Sequence, residues 1–375
     1  MKHCVPHALV WLVISTAVVA SAQTLDAPVR IGVAAPLTGA IAHLGKDMEN
    51  GARLAIEDLN AQKLVIGGRQ VRFEAVVEDD RADPATATNV AQKLADMQVN
   101  GIVGHLNSGT TIPAARVYNN AGIPQVAPAA TNPQYTRAGY RYAARLMATD
   151  VQQANGIASY ISRTLQAKTV AVIDDRTAYG QGLADEVVAN LGKLQVNVLK
   201  REFGTDRATD FSAILTTLRG LKPDVIVYAG ADAQAALVNR QMKQLGVNAR
   251  FIAGDGVCTG EWSKLAAGAN EGAYCTQAGA PRDAMGAFEA FNQRFRARFG
   301  AEVIVFAPYA YDAVMVLVEA MKRAGSTDPA AYGPKLPGVT VTGVIGPIAF
   351  DARGDNLHGS VTIYQIRGGK LVVAQ

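Results

Sequence analysis

The chain has 375 residues, with 36 Lys and Arg against 32 Asp and Glu for a formal net charge of +4, and 49% of its residues are hydrophobic. That length exceeds what one hydrophobic core usually serves, so two domains are expected. The small net charge and the lack of any Lys/Arg-rich run give no sign of nucleic acid or a membrane surface as a partner.

The first residues read as a targeting segment. Lys2 and His3 precede an apolar run over 8–20, and Ala20, Ser21 and Ala22 form a small-x-small cleavage site before Gln23. The run is too short to span a bilayer comfortably and none of similar length follows, so cleavage after Ala22 should release a soluble exported protein of 353 residues. Cys4 lies far ahead of any lipoprotein position. Removal of the leader leaves Cys258 and Cys275, 17 positions apart, in a compartment where thiols are oxidised. A disulfide between them would contribute about 3 kcal/mol in the chain-entropy account. They have no nearby His for a zinc site and form no Cys-x-x-Cys motif.

From Val29 onward, strand and helix patterns alternate. Residues 29–34 read as a strand, 36–39 as a turn, and 45–60 as an amphipathic helix with Met48, Ala52, Ala55, Ile56 and Leu59 on one side. A strand is expected over 70–77 and a helix over 84–97. The stretch 100–113 reads as a short buried strand at 101–104 running into a helix through Tyr118, with Pro113 in the first helical turn. A short strand over 122–128 ends in Ala129, Ala130, Thr131, Asn132 and Pro133.

A second run of the same kind begins near Val151. Helices are expected at 152–165, 182–191, 211–219 and 231–245, and strands at 169–173, 197–203, 223–228 and 250–253. The helices 285–299 and 307–324 follow, the former with Phe288, Phe291 and Phe295 facing a core. Late strands are expected at 339–345 and 348–350 around Gly346 and Pro347, and a hairpin at 361–366 and 370–373 through Gly368 and Gly369. The rhythm implies an α/β protein of two doubly wound parallel sheets.

In such sheets ligands sit beyond the carboxyl ends of the strands. Ser108 and Thr131 both fall at such ends, where hydroxyls and free helix N–H groups suit a carboxylate. Either could instead do local work, Ser108 or Thr110 capping its own helix and Thr131 stabilising a turn. Asp255, between Gly254 and Gly256, offers a carboxylate that a ligand can approach closely, or is an ordinary turn aspartate. His105 reads as a hydrogen-bonded structural histidine in preference to a catalytic or metal-binding one. There is no Gly-x-Ser-x-Gly elbow, no Walker loop and no His-Glu-x-x-His, and Pro36 and Leu37 interrupt any dinucleotide fingerprint over 32–39. An exported two-domain α/β chain without that machinery points to binding, not catalysis, with no metal or cofactor expected.

The segments Ile102-Val-Gly-His-Leu-Asn-Ser108, Ala127-Pro-Ala-Ala-Thr-Asn-Pro133, Ala178-Tyr-Gly-Gln-Gly-Leu183 and Gly254-Asp-Gly-Val257 occur in this order. With 33–39 and 306–312, they resemble the periplasmic leucine/isoleucine/valine-binding proteins of bacterial ABC transporters, over essentially all of 29–366. The resemblance implies a type I periplasmic-binding fold whose two domains are joined by three crossovers, near Thr149, Ala278 and Val361. One lobe would take 29–149 plus 279–360, the other 150–278 plus 361–375. It implies a monomer that holds a small amino acid and delivers it to an inner-membrane ABC permease.

The substrate-binding set implied is Leu106, Asn107, Ser108, Ala129, Ala130, Thr131, Tyr179, Ala231 and Asp255, with Leu44 and Phe306 as further pocket residues. Ser108 and Thr131 would bind the α-carboxylate. The carbonyl of Ala129, the hydroxyl of Thr131 and the carboxylate of Asp255 would take the ammonium, while Tyr179 covers the ligand and Leu106 lines its side chain. The chain departs from the leucine-binding pattern at Asp255, where the family has glutamate, and at Leu44 and Ala231, where it has tyrosines. The family's disulfide cysteines fall near Arg81 and at Asn107, so the Cys258–Cys275 pair would be a different one. The alternatives are a carboxylate or amide ligand without an α-amine, a ligand sensor in the same fold, and an exported hydrolase.

Overall fold

The computed structural model describes residues 1, 2 and 27–374. The apolar leader run, Cys4 and the cleavage site after Ala22 lie outside the described residues. Strand β1 (Val29–Ala35) is buried along nearly its whole length, as a strand covered on both faces must be. It pairs in parallel with β2 (Phe73–Asp79) on one side and β3 (Gly101–Gly104) on the other. Beyond β3 come β4 (Gln125–Ala127) and β5 (Ala143–Arg145), so the first sheet runs β2-β1-β3-β4-β5, all parallel.

Helix α1 (Ala42–Ala61) buries Leu44, Met48, Ala52, Ala55, Ile56 and Leu59, a stripe at helical spacing. Helix α2 (Pro84–Asp96) is capped by Asp83, which accepts from Thr86 N–H at 2.7 Å. Helix α3 (Ser108–Ala121) ends on Gly122 with φ +69°, a left-handed cap that suits glycine. Pro113 is not in the first turn of α3. The Ser108 to Thr111 cluster is itself helical, so Pro113 sits in the second turn and removes a bond that would have gone to the Gly109 carbonyl.

The second sheet repeats the plan. Helix α4 (Asp150–Ser159), which continues into a wider turn at Tyr160–Thr164, leads to β6 (Thr169–Asp174). Then follow α5 (Ala178–Lys193), β7 (Asn197–Phe203), α6 (Ser212–Leu221), β8 (Val225–Ala229), α7 (Asp232–Leu245) and β9 (Arg250–Ala253). Helix α8 (Gly260–Ala266) and strand β10 (Tyr274–Gln277) come next. After α9 (Phe288–Phe299) and α10 (Ala307–Ala324), the chain ends in the hairpin of β11 (Thr362–Arg367) and β12 (Lys370–Val373). The sheet order is β12-β11-β10-β9-β8-β6-β7, parallel from β7 to β10 and antiparallel at the hairpin. In each sheet the first strand lies between the second and the third, which gives a switch point between β1 and β3 and another between β6 and β8.

Helices α9 and α10 return to the first sheet. Phe288, Phe291 and Phe295 are buried with α1 and β1 residues in one core. The backbones of α1 and α10 approach so closely that a Cβ on Gly51 would lie 2.0 Å from the Ala307 carbonyl oxygen. The stretches between the sheets are bonded to each other: Ala148 N–H donates to Ala278 O (3.0 Å), Thr362 Oγ1 to Gly279 O (2.8 Å) and Gln152 Nε2 to Gly359 O (3.0 Å).

Several local expectations differ from this structure. Strands β5 and β10 and helix α8 carry no clear sequence signal, because β5 is three residues ending in a buried arginine and β10 ends in the buried polar pair Thr276 and Gln277. The strand expected over 70–77 starts at Phe73, since Gly67 and Gly68 at positive φ fold Val65–Ile66 and Arg69–Gln70 into a small hairpin. Gly346 and Pro347 lie in a strand (Gly346–Ala349), and the turn falls at Val344 and Ile345, whose N–H groups are taken by the Asp312 carboxylate. Cys258 and Cys275 form a disulfide, which ties the turn after β9 to β10.

Candidate functional site

The carboxyl ends of β1, β3 and β4 face those of β6, β8 and β9 across a cavity of about 460 Å3. Leu44, Leu106, Asn107, Ser108, Ala129, Thr131, Tyr179, Ala231, Asp255 and Phe306 all line it. Ala130 does not. Its side chain is buried with Ala115, Ala127 and Tyr135, and its carbonyl accepts from Arg145 Nη1 at 3.0 Å, because alternate residues past a strand end turn to opposite sides. His105 lies outside the cavity, fully buried, with Nδ1 2.7 Å from Asp80 Oδ2 and Nε2 3.0 Å from the Tyr118 hydroxyl. It is a structural histidine that locks the end of β3 to α3.

The first domain contributes donors. Asn107 is the N-cap of α3 and Ser108 its first helical residue; the first bond into the helix runs from Thr110 N–H to Asn107 O, so the N–H groups of Ser108 and Gly109 come before the helical ladder begins. Ser108 Oγ accepts from Asn132 N–H at 3.2 Å, which leaves its own proton to donate. Neither Ser108 nor Thr110 caps α3; the Thr110 hydroxyl bonds the Asn107 carbonyl (2.9 Å) and side-chain oxygen (2.8 Å).

The second domain contributes acids. Asp255 opens a single turn after β9 and is only 3% exposed. Its Oδ1 accepts from Gln153 Nε2 and the Tyr179 hydroxyl, each at 2.8 Å, and among the described residues no side chain donates to Oδ2. Burial raises its pKa above the ordinary carboxylate value, with the Gln153 and Tyr179 bonds opposing. The flanking glycines owe their presence to packing: a Cβ on Gly254 would lie 2.4 Å from the Tyr179 hydroxyl oxygen, and one on Gly256 would lie 2.7 Å from Gly230 O.

Three acids near the cleft stand outside the substrate-binding set read from the sequence. Asp150 is the first residue of α4, behind a capping box between Thr149 and Gln152, and its N–H bonds Thr131 O at 2.9 Å. Burial and then the Asp255 charge push its pKa up to about 8. The nearby Arg145 is committed elsewhere, to Asp355 (2.6 Å), Ala130 O, Asn132 O and the Thr136 hydroxyl. Asp175 also lines the cavity, and burial lifts its pKa to about 6. The capping box was the one signal that could have marked Asp150.

The third acid is Asp232, which closes the cleft. His43 Nε2 on α1 lies 2.9 Å from Asp232 Oδ2 on α7, and Asn132 Nδ2 donates to Ala178 O at 2.7 Å, so both pairs bridge the two sheets. The Asp232 bond raises the His43 pKa above 6.5, with burial opposing. A base raised on closing favours closure fully below that ordinary value, and the contribution is lost as pH rises through the raised one. Ligand affinity should therefore be highest below about pH 6.5 and fall as pH rises through the raised His43 value on this account. His43→Gln keeps an N–H donor without titrating and should show a correspondingly smaller fall by calorimetry; equal falls would remove His43 from the closing equilibrium.

The chain as a whole is similar to known proteins. A family model described as periplasmic binding protein matches residues 28–370. The chain is 36% identical over 355 residues to Leu/Ile/Val-binding protein homolog 1 of Brucella abortus, covering 94% of each. It is 32% identical to the leucine-, isoleucine-, valine-, threonine- and alanine-binding protein of Pseudomonas aeruginosa, covering 90% of this chain and 89% of that one. Among solved structures it is similar to the branched-chain amino acid transporter substrate binding protein LivJ from Streptococcus pneumoniae in complex with isoleucine. That match has a TM-score of 0.84 and 27% identity, over 92% of this chain and 98% of the other.

Proposed function

The chain belongs to the periplasmic binding protein family, and from that premise we propose that it captures an α-amino acid between its two domains and hands it to an inner-membrane ABC permease. Its place of work is the periplasm, reached through a leader cleaved after Ala22, and it acts as a monomeric carrier, not a catalyst. The lobes hinge near Thr149, Ala278 and Val361. The ligand carboxylate bonds the Ser108 hydroxyl, the free N–H groups at the start of α3, and Thr131. The ammonium goes to Asp255 Oδ2 and the Ala129 carbonyl, beneath Tyr179. The observation that carries this reading is a buried Asp255 with an open oxygen, beside Asp150 and facing the donors of α3. A zwitterion satisfies both sides through charge-assisted bonds only when the cleft is closed.

The test is calorimetry on refolded, ligand-stripped protein with a panel of α-amino acids and their counterparts lacking the amine. Branched aliphatic amino acids come first, because the relatives are named for them. Binding should require the amine; equal binding of 4-methylpentanoate and leucine would favour a carboxylate carrier instead.

A further inference from the structure

Two polar side chains in the cleft take no part in the carboxylate and ammonium sites. Asp175, 5% exposed, uses Oδ1 to accept from the Thr177 N–H (2.9 Å) and hydroxyl (2.6 Å), and among the described residues no donor reaches Oδ2. Gln234, 7% exposed in the first turn of α7, has no side-chain hydrogen bond among the described residues. Neither group is among the buried, unpartnered side-chain atoms of the described residues, so both stay reachable from the cavity they line and are open to partners from a ligand.

The strand register fixes how far that ligand must reach. Ile173, Tyr228 and Ala253 lie level across β6, β8 and β9. Two residues further on, Asp175 and Asp255 stand level with Gly230 between them, separated by two strand spacings, roughly 10 Å. Gly230 leaves the Asp175 carboxylate open, since a Cβ there would lie 2.8 Å from Oδ2. Ala231 adds only a methyl group, and Leu44, Leu106 and Phe306 make the middle of the cavity apolar. A leucine side chain reaches about 4 Å from its Cα and stops in that middle. An unbranched chain ending in nitrogen reaches about 6 Å, and a hydrogen bond of about 3 Å covers the rest. The residues lining the cavity include Asp83, Asp175, Asp206 and Asp255 against Arg81 and Arg207, an acidic balance that suits a second nitrogen.

Building on the α-amino acid reading, we propose that the cleft prefers, over branched aliphatic ligands, an α-amino acid whose unbranched side chain ends in N–H groups taken by Asp175 Oδ2 and the Gln234 side-chain oxygen. Amine, guanidine and amide termini share that chemistry, and lysine, arginine and glutamine distinguish them.

Calorimetry with these three, norleucine and leucine tests it. At least one nitrogen-ended ligand should bind about tenfold or more tighter than norleucine and leucine. Gln234→Leu and Asp175→Asn should each collapse that ratio toward one. Norleucine or leucine binding as tightly as all three nitrogen-ended ligands, or variants that weaken every ligand equally, would overturn the preference while leaving the α-amino acid reading intact. Binding of no α-amino acid at all by the wild-type protein would overturn both.

Discussion

Asp255→Ala should weaken α-amino acid binding by about 3 kcal/mol, roughly a hundredfold, because it removes one partner of a buried charge-assisted pair. The loss should be selective. Asp255 is assigned to the ammonium, while the carboxylate meets Ser108, Thr131 and the start of α3, so carboxylic acids without the amine should lose little. Asp255 is costly when the cleft is empty, since burial works against its charge and its second oxygen has no side-chain donor among the described residues. The ammonium relieves that cost, so the residue discriminates between amine and no amine more sharply than a surface carboxylate would. Asp255→Asn keeps acceptors for Gln153 and Tyr179 while removing the charge, and it should track the alanine variant for amino acids. Equal losses for leucine and 4-methylpentanoate in both variants would sink the ammonium assignment.

Much of the frame behind this assignment could be read from the chain. The apolar pair Ile102 and Val103 entering the Ser/Thr cluster of 108–111 marks β3 and the start of α3, because a buried parallel strand and a capped helix leave strong local patterns. What escaped depends on contacts between distant residues. Asp175 lies in a turn, where its Oδ1 accepts from Thr177; only the register with β8 and β9 sets the residue level with Asp255 on the cavity wall. Gln234 carries no local signal in the helix expected over 231–245, and only the folded structure shows it buried on the cavity wall. The glycines around Asp255 read as room for a ligand, yet their Cβ positions are filled by Tyr179 and Gly230. Strand β5 was invisible because its defining residue, Arg145, is a charge buried by partners from four other positions.

Asp47 joins the fold to the site, and Asp47→Ala should be strongly destabilising, costing about 3–5 kcal/mol. Its buried carboxylate on α1 accepts four consecutive backbone N–H groups, of Ile304 (2.9 Å), Val305 (2.9 Å), Phe306 (2.6 Å) and Ala307 (2.9 Å). These are the donors at and just before the start of α10, which has no side-chain cap of its own. Truncation would leave them buried without acceptors, and the neighbouring Gly51 contact leaves no room for a shift that would bring in another group. Thermal unfolding followed by circular dichroism should show Tm lowered by on the order of 10 °C. Phe306 lines the cleft from the same segment, so ligand affinity should fall as well, even for carboxylates lacking the amine, which separates this variant from Asp255→Ala. A change in Tm of under about 2 °C, equivalent to less than 1 kcal/mol, would mean that solvent or a backbone rearrangement replaces the carboxylate.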